Sequence, residues 1–215
     1  MKISIKQSNS IFRNKQALPN ILSVIFHPLL MPVIGTLFIL FFSGMYITML
    51  PMQAKQVILT VVGLCTLALP VALLLFYWMH HWISDIYISD RKERIAPLIV
   101  IALFYSIAYW VLHSMHTPYM IQKFVLASAI AVFLTSIISL QWKISIHGVG
   151  IGGITGMLAS LTLLSPSLLP MLLGSIIVVG IVGYARIKLN AHTPAQYYAG
   201  TLLGLVITLG TFFMY

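Results

Sequence analysis

Seven long apolar runs, separated by short polar stretches, are the feature of this sequence that most restricts its fold. They lie near residues 20–45, 55–79, 96–114, 119–141, 148–165, 168–188 and 196–214. Each is close to the roughly 20 residues that an α-helix needs to cross the hydrocarbon core of a bilayer. The runs are continuous rather than alternating, which argues against a membrane β-barrel. The sequence therefore predicts an all-α, polytopic membrane bundle of six or seven transmembrane helices.

The charge content and the length support the same class. Only 7% of the 215 residues are charged and 60% are apolar, whereas soluble domains carry about a quarter charged residues. We expect a basic N-terminal arm over residues 1–19, lying on the membrane surface, and a single transmembrane domain over residues 20–215. Pro28 and Pro32 predict a kink in the first span. The single cysteine, Cys65, excludes an intrachain disulfide and is expected to be an inert packing residue.

Glycines in the fifth and seventh spans predict a close contact between two helices. Gly148, Gly152 and Gly156 recur at every fourth residue, and Gly200 and Gly204 do the same in the last span. Small residues at this spacing let the backbones of membrane helices approach each other. The contact would bring the start of the fifth span close to the start of the seventh.

The basic residues are concentrated on one side of the predicted bundle. The net charge is +9, from twelve basic and three acidic residues. The loops at 80–95, 142–147 and 189–195 fall on the side of the N-terminus and hold most of these charges. Anionic membrane lipids are the expected partners, and nucleic acid is not. The positive-inside rule favours the cytoplasm for this side, but only weakly once the candidate site residues are left out, so the leaflet stays open.

Three stretches on this side combine fixed positive charges with histidines. They read SDRKERIAP over 89–97, KISIHG over 143–148 and ARIKLNAHTPAQ over 185–196. Arginine forks match phosphate oxygens in bidentate fashion, and histidine can act as a nucleophile or a general acid near neutral pH. Thr193 and Pro194 predict a helix start that places His192 at the positive end of the last helix, where an anion binds well and the ring stays neutral. The pattern favours a site for a phosphoryl group.

The third of these stretches resembles a motif of the type 2 phosphatidic acid phosphatase superfamily, which also includes the vanadium haloperoxidases. The family motif is Ser-Arg, five residues, His, three residues, Asp. This chain has Ala185-Arg186, five residues, His192, three residues and Gln196. Gly200 also stands where the family often has a glycine.

The other two family motifs are matched less closely. The second, Pro-Ser-Gly-His, corresponds to Ile-Ser-Ile-His over 144–147. The first, a lysine followed after six residues by Arg-Pro, has Arg94 and Pro97 as its nearest match. The resemblance covers roughly residues 85–204, and two apolar spans separate the first and second motifs where the family more often has a loop.

The resemblance implies a role for each matched residue. His192 would be the nucleophile that forms a phosphohistidine, and His147 would protonate the leaving alcohol. Neither a metal nor another cofactor is implied. A larger set would hold the phosphate oxygens: Arg186, Arg94, Arg91, Lys92, Ser145 and the exposed backbone amide of Gly148.

Gln196 departs from the family, which has an aspartate that orients the nucleophilic histidine. A glutamine can fix the tautomer of His192 through its amide oxygen, but it supplies no negative charge. In serine proteases, changing the aspartate partner of the histidine to asparagine costs about ten-thousandfold in rate. The substitution leaves three readings: a slow enzyme, an acid supplied by Asp85, Asp90 or Glu93, or no enzyme.

Taken with the basic residues and histidines, the resemblance implies a metal-independent membrane lipid phosphatase or phosphotransferase. It would act on a lipid phosphate or diphosphate in the bacterial inner (plasma) membrane, and the oligomeric state is left open. The alternative is a relative without catalysis that binds or carries an anionic lipid. A small transporter is disfavoured because inverted repeats and acidic residues within the spans are missing.

Overall fold

The computed structural model describes residues 16–44, 46–85 and 90–214. Among these residues, seven helical stretches are long and apolar enough to cross a membrane, and no strand occurs. They are Gln16–Phe42, Met52–Met79, Ile95–Ser114, Tyr119–Ser139, Ile146–Leu164, Pro166–Lys188 and Pro194–Phe213. The predicted fold class is confirmed: the chain is an all-α integral membrane bundle. Of the predicted N-terminal arm, residues 16–19 belong to the first helix, and residues 1–15 lie outside the described residues.

Some spans are divided, so the described chain contains more helices than spans. We number the α-helices in chain order. They are α1 (16–25), α2 (Met31–Phe42), α3 (Met52–Gly63), α4 (Leu69–Met79), α5 (Ile95–Ser114), α6 (Tyr119–Ser139), α7 (Ile146–Leu164), α8 (Leu169–Lys188) and α9 (Pro194–Phe213).

The first span breaks at His27, as the prolines predicted. A short 3-10 turn over Pro28–Leu30 separates α1 from α2. Pro28 has no backbone N–H and so cannot continue the hydrogen-bond ladder of α1. The Nδ1 atom of His27 accepts a hydrogen bond from the backbone N–H of Leu29 at 3.3 Å and caps the new turn. The break therefore places His27 in non-helical backbone between α1 and α2.

The second span contains a wider π-helical turn over Leu64–Ala68, next to Pro70. Pro70 lacks the N–H that would normally satisfy the carbonyl of Thr66. In its place the buried hydroxyl of Tyr105, on α5, donates to the Thr66 carbonyl oxygen at 3.2 Å. Because the bilayer core holds no water that could donate to this carbonyl, the bond stabilises the packing of α5 against the second span.

The glycine stripe forms the closest helix contact, between α7 and α9, as predicted. A Cβ atom added at Gly148 would lie 2.6 Å from the carbonyl oxygen of Tyr197, and one at Gly156 would lie 2.7 Å from that of Leu205. At Gly152 and Gly204 the added atom would run into the backbone of the facing helix. Only glycine permits this approach, which aligns the starts of α7 and α9.

We expect Gly152→Ala to destabilise the bundle, because its new methyl group meets the backbone of Thr201, which cannot rotate away. Overpacking of this kind typically costs about 1–3 kcal/mol. Gly153→Ala is the matched control, since its methyl group would be 3.5 Å from the Thr208 hydroxyl, an ordinary contact. Thermal unfolding in detergent should show a lower midpoint for Gly152→Ala alone. Equal midpoints for the two variants would contradict the proposed packing.

The polar loops meet at one end of the bundle. α5–α6 and α7–α8 are the predicted antiparallel hairpins, with short connections at 115–118 and 165–168. At the opposite end, the Arg94 guanidinium donates to the backbone carbonyl oxygen of Ile144 at 3.2 Å. The backbone N–H of Ser145 donates to the backbone carbonyl oxygen of Gln196 at 3.1 Å. These bonds join the loops before α5, α7 and α9, which is where the sequence placed its candidate site.

Candidate functional site

Arg186 stands at the centre of this polar end, in the last turn of α8. One of its terminal nitrogens donates to the hydroxyl of Ser23, on α1, at 3.2 Å. Its Nε–H is buried and has no hydrogen-bond partner within the described residues. Arg186 also interacts electrostatically with five neighbours. Together with Arg186 they form what we call the cationic cluster: His27, Arg94, Lys143, His147, Arg186 and His192.

His192 is held by the turn between α8 and α9. Asn190 adopts a left-handed conformation with φ of 53°, which asparagine tolerates, and so reverses the chain after α8. The Thr193 hydroxyl accepts from the N–H of Gln196 at 3.3 Å, and the Gln196 side-chain oxygen accepts from the N–H of Thr193 at 3.1 Å. This capping box confirms the predicted helix start. His192 is 8% exposed, and its buried Nδ1 atom has no hydrogen-bond partner in the described chain.

The surroundings of His192 keep its ring neutral. Burial, and then the positive charges of Arg186, Arg94 and Lys143, lower its pKa to about 4, although the side chain of Gln196 acts in the opposite direction. A neutral imidazole has a free lone pair on one ring nitrogen. His192 is therefore in the protonation state that a nucleophile requires over the physiological pH range.

We expect His192 to titrate near pH 4 in a histidine NMR titration of the protein in micelles, with His192→Gln used to assign its signal. Because the folded pKa lies below the ordinary 6.5, the unfolded chain binds the extra proton first. Stability is thus lost as the pH falls from about 6.5 to about 4. Lys143→Ala removes one of the charges that lower the pKa and should move the titration to higher pH. A parent signal titrating near 6.5 would contradict this description.

His147 lies in the first turn of α7 and points to α1. Its Nε2 atom is 3.1 Å from the backbone carbonyl oxygen of Ser23. Since a carbonyl only accepts, Nε2 carries a proton, and Nδ1 is the nitrogen left for proton exchange. His192 acts electrostatically on His147, which agrees with the close approach of the starts of α7 and α9.

Arg94 and Lys143 supply two further positive charges. Arg94 is only 3% exposed. Burial and then Arg186 lower the pKa of Arg94, while Asp90 and Asp85 act to raise it. The pKa of Lys143 is lowered by burial, then by Arg94 and Arg186, against the same two carboxylates. Each cation is thus disfavoured by its positive neighbours, and a bound anion would relieve that repulsion.

Ser145 and Gly148 form a helix cap. The Ser145 hydroxyl accepts from the N–H of Gly148 at 3.3 Å. This bond fixes the start of α7 and occupies the Gly148 N–H that was predicted to contact phosphate. The Ser145 hydroxyl only accepts in this bond and keeps its own proton to donate.

Arg91 and Lys92 stand outside the cationic cluster. Arg91 donates to the carbonyl oxygen of Gln141, at the end of α6, and ties two loops together. Lys92 is exposed, and its backbone N–H donates to a carboxylate oxygen of Asp90 at 2.8 Å. Of the predicted phosphate ligands, Arg186 and Arg94 are the ones that the structure brings together with the histidines.

The three acidic residues that could replace the family aspartate interact with groups other than the His192 ring. Glu93 accepts from both the backbone N–H and the hydroxyl of Ser84, at 2.7 and 2.9 Å. Asp85 and Asp90 act electrostatically on two members of the cluster, Arg94 and Lys143. Among the described residues, Gln196 is the side chain that acts to raise the pKa of His192.

Two cavities flank the cluster. An open cleft of about 410 Å³ leads to His192 between Lys143, Asn190 and Gln196. A narrow, mainly apolar cavity of about 60 Å³ starts at Pro28 and Ile146 and runs between α2, α5, α6 and α7. Its first residues are the chain neighbours of His27 and His147, so the polar site has a water-facing side and an apolar side.

Sequence reasoning missed two residues of this site and undervalued a third. Ser23 contacts both Arg186 and His147, yet nothing distinguishes it from other serines in apolar runs. The signal available for His27 was its place before a proline, close to the polar end of the first span. Lys143 was noticed as a basic residue but was not counted among the phosphate ligands.

No protein-family model, no curated protein and no solved structure matches this chain.

Proposed function

We propose that this protein is a membrane lipid phosphatase or phosphotransferase that uses His192 as its nucleophile. One observation carries the proposal: a buried, neutral histidine stands beside a second histidine and three basic side chains, Arg94, Lys143 and Arg186. Binding an anion needs only the basic residues. The two histidines add a nucleophile and a proton carrier, which are the groups that phosphoryl transfer requires.

The reaction runs in two balanced steps. A lone pair of the neutral His192 ring attacks phosphorus, and the bond from phosphorus to the lipid oxygen breaks. The lipid oxygen keeps that electron pair and takes a proton from Nδ1 of His147, which the negative charge of the bound phosphate favours in its protonated form and whose Nε2–H stays on the Ser23 carbonyl. In the second step water attacks phosphorus, the phosphorus–nitrogen bond breaks, and the proton lost by water returns to His147. Arg186 and Arg94 stabilise the oxygens in both steps.

A lipid is the substrate that fits the position of the site. The cluster lies at the ends of helices whose outer faces are apolar and exposed, in the manner of bilayer-facing surfaces. The apolar cavity beside His27 and His147 offers space for part of a hydrocarbon chain. We place the protein in the bacterial inner (plasma) membrane, in line with the resemblance.

Phosphate release by purified protein in liposomes tests the proposal. The panel comprises phosphatidic acid, phosphatidylglycerol phosphate, an isoprenyl diphosphate, a lipid A phosphate and the soluble p-nitrophenyl phosphate. We expect release from at least one lipid at a rate well above that from the soluble ester. If no lipid releases phosphate, the protein is not a lipid phosphatase. If p-nitrophenyl phosphate is hydrolysed faster than every lipid, the proposed specificity for lipids is wrong.

A second candidate function, binding or carriage of an anionic lipid without hydrolysis, is favoured by Gln196. Its side-chain oxygen is used in the helix cap, and it brings no negative charge to His192. Gln196→Asp distinguishes the two functions. If the parent is a slow phosphatase, the aspartate should raise the rate of phosphate release by stabilising the positive histidine. If the parent only binds lipid, the variant should release no phosphate either.

A further inference from the structure

His27 and Ser23 bring the first span into the candidate site. Ser23 lies near the end of α1, and His27 follows two residues after that end, in extended backbone directly before Pro28. The Ser23 hydroxyl accepts from Arg186, while its carbonyl oxygen accepts from His147. The His27 ring stands edge-on to the His147 ring, with centroids 5.8 Å apart and an interplanar angle of 77°. Arg186 also acts electrostatically on His27.

The contacts of His27 define its tautomer. Its Nδ1 atom accepts from the N–H of Leu29 and so carries no proton. The neutral ring then has its proton on Nε2, and that N–H has no hydrogen-bond partner within the described residues. The corresponding proton of His147 is already bound to the Ser23 carbonyl. While both rings are neutral, His27 is the one of these two histidines with an N–H available to a ligand.

We propose that His27 is a phosphate-binding residue, whose Nε2–H donates to an oxygen of the phosphate held by Arg186. The inference rests on the proposed phosphate site and adds a ligand from the first span. A neutral imidazole suits this task, because it donates a hydrogen bond without adding another charge to three crowded cations. It also makes the break at Pro28 a part of the site, since the break gives His27 its position.

Binding of inorganic phosphate and of vanadate, measured by calorimetry on the full chain in detergent, tests the inference without requiring turnover. His27→Asn is the informative variant, since asparagine is a good cap and can accept from Leu29, but its amide does not reach as far as Nε2. We expect phosphate to bind about ten- to a hundredfold more weakly to His27→Asn and to His27→Ala. His80→Ala, which changes an exposed histidine outside the cluster, should bind like the parent.

The outcomes separate this inference from the proposed function. If the parent binds phosphate and His27→Asn binds it equally well, His27 is a structural cap and the inference is wrong, while the phosphatase stands. If the parent binds phosphate but releases none from any lipid, weaker binding by His27→Asn still supports the ligand role. If the parent binds neither phosphate nor vanadate, both the proposed phosphate site and the proposed role of His27 in it are wrong. A thermal midpoint of His27→Asn close to that of the parent shows that the loss is one of binding.

Discussion

His192→Ala is expected to abolish phosphate release, with a loss of about 10³-fold or more. Alanine has no lone pair to attack phosphorus, and the buried site offers no second neutral histidine in the same position between α8 and α9. The residual rate would come from water attacking a phosphate that Arg186 and Arg94 still hold. Initial rates of phosphate release from the preferred lipid in liposomes measure the effect.

The control for His192→Ala is phosphate binding by the same variant. Arg94, Lys143 and Arg186 remain in place, so inorganic phosphate should bind with an affinity similar to that of the parent. Retained binding with lost turnover identifies a chemical role for His192. A rate of phosphate release by His192→Ala close to that of the parent would rule out this residue as the nucleophile, whatever the affinity.

Arg186→Ala is expected to lower phosphate release by about 10²–10³-fold, the usual effect of removing one preorganised donor to a developing negative charge. Arg186 interacts with every other member of the cationic cluster, so its loss affects both binding and the pKa of His192. Removing its positive charge should raise that pKa, because the charge helps to lower it. Both kcat and KM should therefore change in rate measurements over a range of lipid concentrations.

Lys188→Ala is the matched control for Arg186→Ala. Lys188 lies two residues further along the last turn of α8, carries the same charge and is exposed. Its loss should leave the rate nearly unchanged. Arg186→Lys keeps the charge but loses the planar fork, and we expect a rate between those of the parent and Arg186→Ala. Equal losses in Lys188→Ala and Arg186→Ala would mean that general surface charge, rather than a specific contact, drives the effect.

The fold could be predicted from the sequence because each of its determinants is local. An apolar run of sufficient length is a span, whatever surrounds it. The glycines at every fourth residue could meet only another helix backbone, so the α7–α9 contact followed from Gly152 and Gly204. The helix start at Thr193 likewise depends on residues within one turn.

The details of the candidate site depend on contacts between distant parts of the chain, and these escaped prediction. The Gly148 N–H was expected to face phosphate, but it donates to the Ser145 hydroxyl at the start of α7. Arg91 has the same charge as Arg94 and is three residues away, yet its guanidinium reaches Gln141. Ser23 enters the site because α1 packs beside the ends of α7 and α8. The spacing of residues along the sequence does not indicate which helix ends pack together, so this contact could not be predicted.

The central claim is that a phosphoryl group passes through His192, and trapping the covalent intermediate tests it most directly. Protein in liposomes is mixed with a lipid labelled in its phosphate, quenched in alkali, where phosphohistidine persists, and digested for peptide mapping. We predict label on the peptide that contains His192 in the parent, and none in His192→Ala. Phosphate release without label on that peptide, or label on a different residue, would contradict the mechanism.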